Sequence, residues 1–162
     1  MKRLAAGALA AAALTAAVIS ATAGGQAAQG RTIQLTELAK GGTFGFVDNP
    51  PRGTMRRPRF SPGDSEAFSS VLADASGRHV GRLNVQCTVT GGHSARTARV
   101  VCTGVFGLPD GTLAVTASLV GEPSTVNAAV TGGTGAYVGA RGQLMSVSHR
   151  NGSSSDTIQL LP

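Results

Sequence analysis

The feature that most constrains the fold is a succession of short segments in which apolar and polar residues alternate. The clearest is 78–90, where Leu83, Val85, Cys87 and Val89 share one face and polar residues separate them. A period of two is typical of a β-strand with one buried face. Similar segments, separated by turn residues, lie at 31–38, 66–73, 96–106, 112–120, 125–131, 143–149 and 157–161. About eight short strands without an amphipathic helix predict an all-β sandwich or an antiparallel barrel.

The two cysteines of the chain suggest how two of these strands pair. Cys87 and Cys102 flank the turn residues 91–94. In a hairpin centred between Ser94 and Ala95 they would face each other directly, within reach of a disulfide. Two thiols in an exported chain also favour one disulfide. No metal site is expected, because the three histidines show no ligand spacing relative to the cysteines.

The N-terminus has the pattern of a secretory signal peptide. Lys2 and Arg3 precede an apolar run at 4–19, and Ala21-Thr22-Ala23 matches a cleavage signal. The apolar run is shorter than the roughly 20 residues that a membrane helix needs. The sequence therefore predicts a signal peptide at 1–23, a flexible leader at 24–30 and a single secreted domain at 31–162, without a membrane span.

The chain is basic, with a formal charge of +6, but its composition does not favour nucleic acid as a partner. It has one tyrosine and five phenylalanines, and these do not alternate with basic residues as in stacking platforms for nucleic acids. The charge instead favours solubility or contact with anionic polymers of the cell envelope.

A proline-rich segment at 44–63 carries part of this charge as Arg52, Arg56, Arg57 and Arg59. Because prolines remove ladder donors and disfavour helix, the segment is predicted to be a long loop of extended pieces. Such a charge run is usually a solvated face, although it could bind an anion or cover a barrel mouth.

The stretch from Val130 to Leu144 contains five glycines around Tyr137 and Arg141. It lacks the Gly-x4-Gly-Lys-Ser/Thr pattern of a phosphate loop, and it lies outside any βαβ unit. Glycine reaches positive φ at little cost and lets backbones approach closely. The stretch therefore predicts a sharp corner between strands that brings the tyrosine and the arginine together.

Four motifs, taken together, resemble a known family. They are Leu35-Thr36-Glu37-Leu38 followed by Lys40-Gly41, then Pro62-Gly63-Asp64, Val80-Gly81 ahead of Cys87, and the glycine-rich stretch from Val130 to Gln143. In this order the sequence resembles the allene oxide cyclase and dirigent superfamily, specifically the exported bacterial barrel proteins related to allene oxide cyclase. The resemblance implies an eight-stranded antiparallel β-barrel with an apolar lumen, often assembled as a trimer.

The resemblance also suggests where a pocket would lie. In plant allene oxide cyclases a glutamate and an asparagine on the first strand and a nearby proline shape the pocket, and Gln34, Thr36 and Thr43 stand at the matching positions here. The pocket cysteine is matched by Cys87, whose sulfur would be neither nucleophile nor base in a disulfide. These departures argue against allene oxide cyclisation itself.

The candidate site residues follow from these patterns. Weak catalytic candidates are Gln34, Asp64, Tyr137 and Arg141, with Asp48 and Glu66 as further acids, and the expected ligand-binding residues are Gln34, Thr36, Leu83, Val85 and Tyr137. Several have a plain structural alternative: Asp64 as a turn residue, Arg141 as a partner of a buried carboxylate or carbonyl, and Tyr137 as a packed aromatic.

Three functions remain open at this stage. The first is a cofactor-free protein that binds a small apolar molecule and guides a cyclisation, an isomerisation or a dirigent-type coupling by proximity and orientation. The second is a non-catalytic carrier of an apolar ligand. The third is a structural or interaction protein of the cell envelope. The first two need an open lumen, and the first also needs a titratable or polar group that points into it.

Overall fold

The computed structural model describes residues 30–50 and 59–162. The predicted signal peptide at 1–23, most of the predicted leader and residues 52–58 of the arginine-rich segment lie outside this part of the chain.

The described chain forms one antiparallel sheet that closes on itself. Its strands are β1 (Thr32–Glu37), β2 (Thr43–Val47), β3 (Ser65–Ala73), β4 (His79–Gly91), β5 (Arg99–Leu108), β6 (Gly111–Val120), β7 (Thr125–Gly133), β8 (Gly142–Ser148) and β9 (Ser154–Leu160), with one 3₁₀-helix at Gly135–Tyr137. Strands β3 to β9 pair in chain order, and β1 pairs with both β9 and β3. The prediction of an all-β, eight-stranded antiparallel barrel is therefore confirmed.

The closing seam is shared between two strands. Thr36 and Glu37 of β1 pair with Ala73 and Leu72 at the end of β3. The first half of β3 pairs instead with β2, from Val47↔Ser65 to Thr43↔Ser69. The prediction of a loop from residue 44 onward is wrong for β2. The prolines begin only at Pro50, and Thr43–Val47 has a free set of backbone donors to form a ladder.

The β4–β5 hairpin has the predicted register over most of its length. Cys87 lies opposite Cys102, their Cα atoms are 4.0 Å apart, and the two sulfurs form a disulfide. The predicted disulfide is confirmed. The register shifts between Val89 and Gly91, next to the turn.

The two ends of the barrel differ. In a meander, alternate connections lie at alternate ends, so the β3–β4, β5–β6 and β7–β8 connections lie at one end and the β4–β5, β6–β7 and β8–β9 connections at the other. The buried apolar cluster includes Tyr137 and Ala140 of the β7–β8 connection together with Phe106, Val130 and Leu160 at nearby strand ends. The first end is thus filled by side chains.

At the glycine-rich corner the β7–β8 connection lies close to the β5–β6 connection, and the two close the filled end. Gly135 has a φ of 60°, and the Ala136 amide donates a hydrogen bond of 2.8 Å to the Asp110 carbonyl of the β5–β6 turn. A Cβ atom on Gly135 would collide with that same carbonyl oxygen. The corner therefore requires glycine at this position for both its conformation and its space.

We expect Gly135→Ala to lower the free energy of unfolding by about 1–3 kcal/mol, because it places a Cβ atom at a positive φ and against a backbone oxygen. Gly132→Ala is the matched control, since a Cβ atom there meets nothing within 4 Å. Urea unfolding of both variants measures the difference. Equal stability of the two variants would contradict the packing described for the corner.

Replacing both cysteines, as Cys87→Ala/Cys102→Ala, should lower the free energy of unfolding by about 3 kcal/mol, because the bond closes a loop with a sequence separation of 15. The measurement is chemical unfolding of the variant beside the oxidised and the reduced wild-type protein. Reduction alone should reproduce most of the loss. An unchanged midpoint after reduction would show that the bond does not constrain the chain.

Candidate functional site

A cavity of about 380 Å³ opens at the end of the barrel opposite the glycine-rich corner. Its rim is formed by connections of that end, including Ala95 before β5 and Gly121 to Pro123 before β7. Its volume lies in the range of small-molecule sites. The walls are mostly apolar and come from the inward faces of six strands and the segment before β3: Phe60, Phe68, Leu83, Val85, Val100, Phe106, Val115, Ala117, Leu119, Val126 and Leu144.

Four carboxyl groups also line this cavity: Glu37, Glu66, Glu122 and Asp156. Three serines, Ser146, Ser148 and Ser154, are the hydroxyl-bearing residues of the lining. Among the described residues that line the cavity there is no lysine, arginine or histidine. The lumen of this basic protein is therefore acidic.

Asp156 is the most deeply buried of the four acids, with 1% of its surface exposed. It lies on β9, paired with Leu35 of β1 on one side and with Ser146 of β8 on the other. Within the described chain neither carboxylate oxygen has a hydrogen-bond partner. Burial without donors favours the protonated form of a carboxyl over its ionised form.

The pKa of Asp156 reflects this environment. Burial raises the pKa of Asp156 from 3.8 to about 7, and the negative charge of Glu37 contributes in the same direction. Ser146 acts in the opposite direction and lowers the pKa, although its hydroxyl makes no well-aligned hydrogen bond to the carboxylate. Asp156 can therefore both donate and accept a proton near neutral pH.

A second pair of acids lies nearer the mouth. Glu66 is half-buried on β3, and Glu122 is exposed in the β6–β7 connection. Burial raises the pKa of Glu66, and the charge of Glu122 raises it further. Glu66 also lies directly opposite Cys87, so this acid stands beside the disulfide, whose two cysteines form part of the cavity wall.

The structure brings only some of the predicted site residues to this cavity. Leu83 and Val85 line it, as does Glu66. Gln34 and Thr36 belong to the other face of β1, because Leu35 is buried between them and Glu37 lines the lumen. Both residues border a second, smaller pocket, whose lining also includes Leu35, Ala75 and Asp156.

Tyr137 and Arg141 lie at the filled end, on the opposite side of the core from the mouth. The Tyr137 ring is buried, and the Arg31 guanidinium lies 5.6 Å from its centre. The Arg141 Nη2 donates a hydrogen bond of 3.0 Å to the Pro162 carbonyl. Their positions match the structural alternatives given above, a packed aromatic and a partner for a carbonyl.

Asp64 is fully buried, but in the turn before β3 and not in the cavity lining. Its carboxylate accepts a hydrogen bond of 2.8 Å from the backbone N–H of Asn49. It also accepts hydrogen bonds from the backbone N–H and the hydroxyl of Ser61, at 2.7 and 3.1 Å. Asp64 thus joins the chain after β2 to the segment before β3. Asp48 is absent from the lining as well.

Sequence reasoning missed the two acids that meet inside the barrel. Glu37 shares a face with Ile33 and Leu35 and could have been placed inward by the alternation of β1. Asp156 falls in the gap between the predicted strands at 143–149 and 157–161, whereas β9 begins at Ser154. The same alternation places Asp156 inward with the buried Ile158 and Leu160. An acid at an inward position was the available signal.

The described chain contains no cluster of three or more histidine, cysteine or acidic residues arranged to hold a metal ion. It also contains no helix long and apolar enough to cross a membrane.

The fold and the cavity together define a closed eight-stranded barrel with an acid-bearing apolar lumen. No family model matches the sequence, and no curated protein matches it. Solved structures do resemble the fold. Pyocyanin demethylase superimposes with a TM-score of 0.65 at 20% identity, covering 80% of this chain and 99% of that one.

Two further structures have lower but clear similarity. A pterocarpan synthase dirigent protein, GePTS1, gives a TM-score of 0.56 at 18% identity, over 80% of this chain and 82% of its own. The Diels–Alderase AbmU from Streptomyces koyangensis gives 0.55 at 16% identity, over 83% and 71%. The fold is therefore the barrel that dirigent proteins and barrel cyclases share. Membership of the allene oxide cyclases in particular stays a prediction.

The raised pKa of Asp156 predicts how stability depends on pH. Between pH 4 and 7 the folded state holds a proton that the unfolded chain has released, so stability falls as pH rises through this window. Asp156→Asn should remove this dependence and make the protein more stable than wild type at pH 8, by up to a few kcal/mol. Thermal unfolding at pH 5 and pH 8 measures both effects.

Asp110→Asn, which changes an exposed carboxyl at the filled end, is the control for the loss of one negative charge. It should keep the wild-type pH dependence. A wild-type protein whose stability does not fall between pH 5 and 8 would contradict the burial of an unpartnered carboxyl.

Proposed function

We propose that this barrel binds a small, largely apolar molecule in its lumen and promotes a cofactor-free cyclisation or isomerisation by proton transfer through Asp156. The observation that carries the proposal is the buried carboxyl of Asp156, which lines a mostly apolar cavity and lacks a hydrogen-bond partner within the described chain. A titratable group inside an open lumen is what distinguishes this function from the alternatives.

The chemistry follows from the environment of the two inner acids. With a pKa near neutrality, protonated Asp156 can donate to a carbonyl, ether or alkoxide oxygen of the bound molecule, and the ionised form can take a proton from carbon or from a phenol. The low polarity of the walls strengthens either transfer because little water competes. Glu37, on the neighbouring strand, holds the pKa of Asp156 high and so acts as a positioning residue.

The structural neighbours support this class of reaction without assigning a substrate. The similar barrels include a dirigent protein that is a pterocarpan synthase, a heme-binding cyclase that catalyses a [4 + 2] cycloaddition and Diels–Alderases. A shaped cavity can orient reactive groups, and proximity can supply much of a reaction rate. Here we propose that the acids of the lumen add proton transfer to that orientation.

A carrier role would require only the apolar walls, and an envelope-structural role would require no lumen at all. The acids inside the cavity argue against carriage of a purely apolar molecule, since a carboxyl without a donor adds nothing to its binding. The disulfide is compatible with the predicted export of the protein. A trimer, which the sequence resemblance implies, remains a prediction that native mass spectrometry of the mature protein tests directly.

The test uses 5-nitrobenzisoxazole, a small neutral probe of carboxylate bases in apolar sites. The base takes the C3 proton, the ring N–O bond breaks, and a nitrile and a coloured phenolate form. We expect turnover above the buffer rate that rises with pH and reaches half of its plateau near pH 7, as Asp156 ionises. Asp156→Asn should reduce the rate constant at least 100-fold.

Glu37→Gln is the second variant of this test. Removing its charge should lower the pKa of Asp156 and move the rate profile to lower pH while keeping most of the plateau rate. Binding of the probe without turnover would favour the carrier function. If the probe were neither bound nor turned over, the envelope-structural function would be the better account.

A further inference from the structure

We propose that the molecule bound in the lumen carries one protonated amine on an otherwise apolar body, and that this ammonium group lies against Asp156 and Glu37. The inference rests on the proposed function, because it takes the lumen as the binding site. It adds the chemical class of the ligand, which neither the fold nor the structural neighbours supply.

The first observation is the charge of the cavity. All four titratable residues of the lining are acids, although the chain as a whole has a formal charge of +6. An anionic ligand would meet repulsion from every charged group in the described lining. A cation would be attracted by all of them, and more strongly inside the barrel than in water.

The second observation is the unsatisfied hydrogen-bonding capacity of Asp156. Its carboxylate oxygens are buried and have no donor in the described chain. Leaving such buried acceptors unpaired costs free energy. An N–H⁺ donor forms charge-assisted hydrogen bonds to carboxylate oxygens, which are the strongest bonds available to this group.

The third observation is the arrangement of the acids from mouth to interior. Glu122 is exposed, Glu66 and Glu37 are half-buried, and Asp156 is buried. Glu37 and Asp156 are diagonal neighbours across the β1–β9 pair, since Glu37 lies opposite Ser154 and Asp156 opposite Leu35. Diagonal neighbours are roughly 7–8 Å apart, a separation that one ammonium group can bridge. The apolar walls then surround the body of the ligand.

Binding of an ammonium ion should be coupled to the ionisation of Asp156. The polar groups that face Asp156 are Glu37 on β1 and Ser146 on β8. Glu66 on β3 and Glu122 in the β6–β7 connection lie elsewhere in the cavity lining. The ionised carboxylate attracts the ammonium group and the protonated carboxyl does not. Affinity should therefore rise with pH through neutrality, and binding near pH 7 should release a proton.

The experiment compares three probes that share one naphthalene ring: 1-naphthylmethylamine, which is a cation, 1-naphthalenemethanol, which is neutral, and 1-naphthoate, which is an anion. Titration calorimetry with the wild-type protein at pH 8 should show the amine binding at least tenfold more tightly than the alcohol and naphthoate binding most weakly. At pH 5.5 the affinity for the amine should fall about tenfold, while that for the alcohol stays nearly constant.

Asp156→Asn should abolish most of the preference for the amine over the alcohol and keep the affinity for the alcohol. The control variant Asp110→Asn loses the same charge at the filled end and should keep the preference for the amine. The pH comparison on the wild-type protein needs no variant, so a misfolded variant does not weaken the test.

Equal affinities for the amine and the alcohol, or tightest binding of naphthoate, would overturn the inference. If 5-nitrobenzisoxazole were still turned over in that case, the proposed function would stand without it. If no probe bound and no turnover occurred, the proposed function would fail together with the inference.

Discussion

Closure of the sheet is the constraint on which the rest of the structure depends. A sheet that closes has one interior, and each strand must then send every second side chain into it. The short β1–β3 pairing makes this closure. Once it forms, the inward residues of all eight strands share one interior, and an inward polar group loses contact with water in proportion to its depth.

The interior is divided along the barrel axis. At one end the glycine-rich corner brings two connections close enough for an aromatic ring and small apolar residues to fill the space. At the other end the disulfide, the acids and the serines line an open volume. The disulfide joins two neighbouring strands at Cys87 and Cys102 and so restrains this part of the cavity wall. A preformed cavity reduces the ordering cost of binding.

Much of the fold could be predicted from the sequence because its main signal is local. Alternation located all eight barrel strands, and the equal distance of the cysteines from the hairpin centre gave the β4–β5 register. β2 was missed because prolines further along dominated the composition of its segment. The side of the barrel on which Leu83 and Val85 lie also follows from alternation.

The site was harder, for a physical reason. Tyr137 and Arg141 stood out as rare residues in a conspicuous motif, yet that motif serves the packing of the filled end. Glu37 and Asp156 are ordinary acids in polar surroundings along the sequence, and only closure brings them together. Gln34 and Thr36 illustrate the same point, because successive side chains of a strand lie on opposite faces of the sheet. A residue one position away from a lumen residue therefore lies on the outer face.

The separation of the two ends also bears on how such a protein can change. The side chains that fill the barrel end lie around the glycine-rich corner, and the rim of the cavity is formed by connections at the opposite end. A substitution at Glu66, Glu122 or Val126 alters the lumen without touching the corner. The shape and polarity of the lumen can therefore change by substitution near the mouth while the packing of the filled end stays intact.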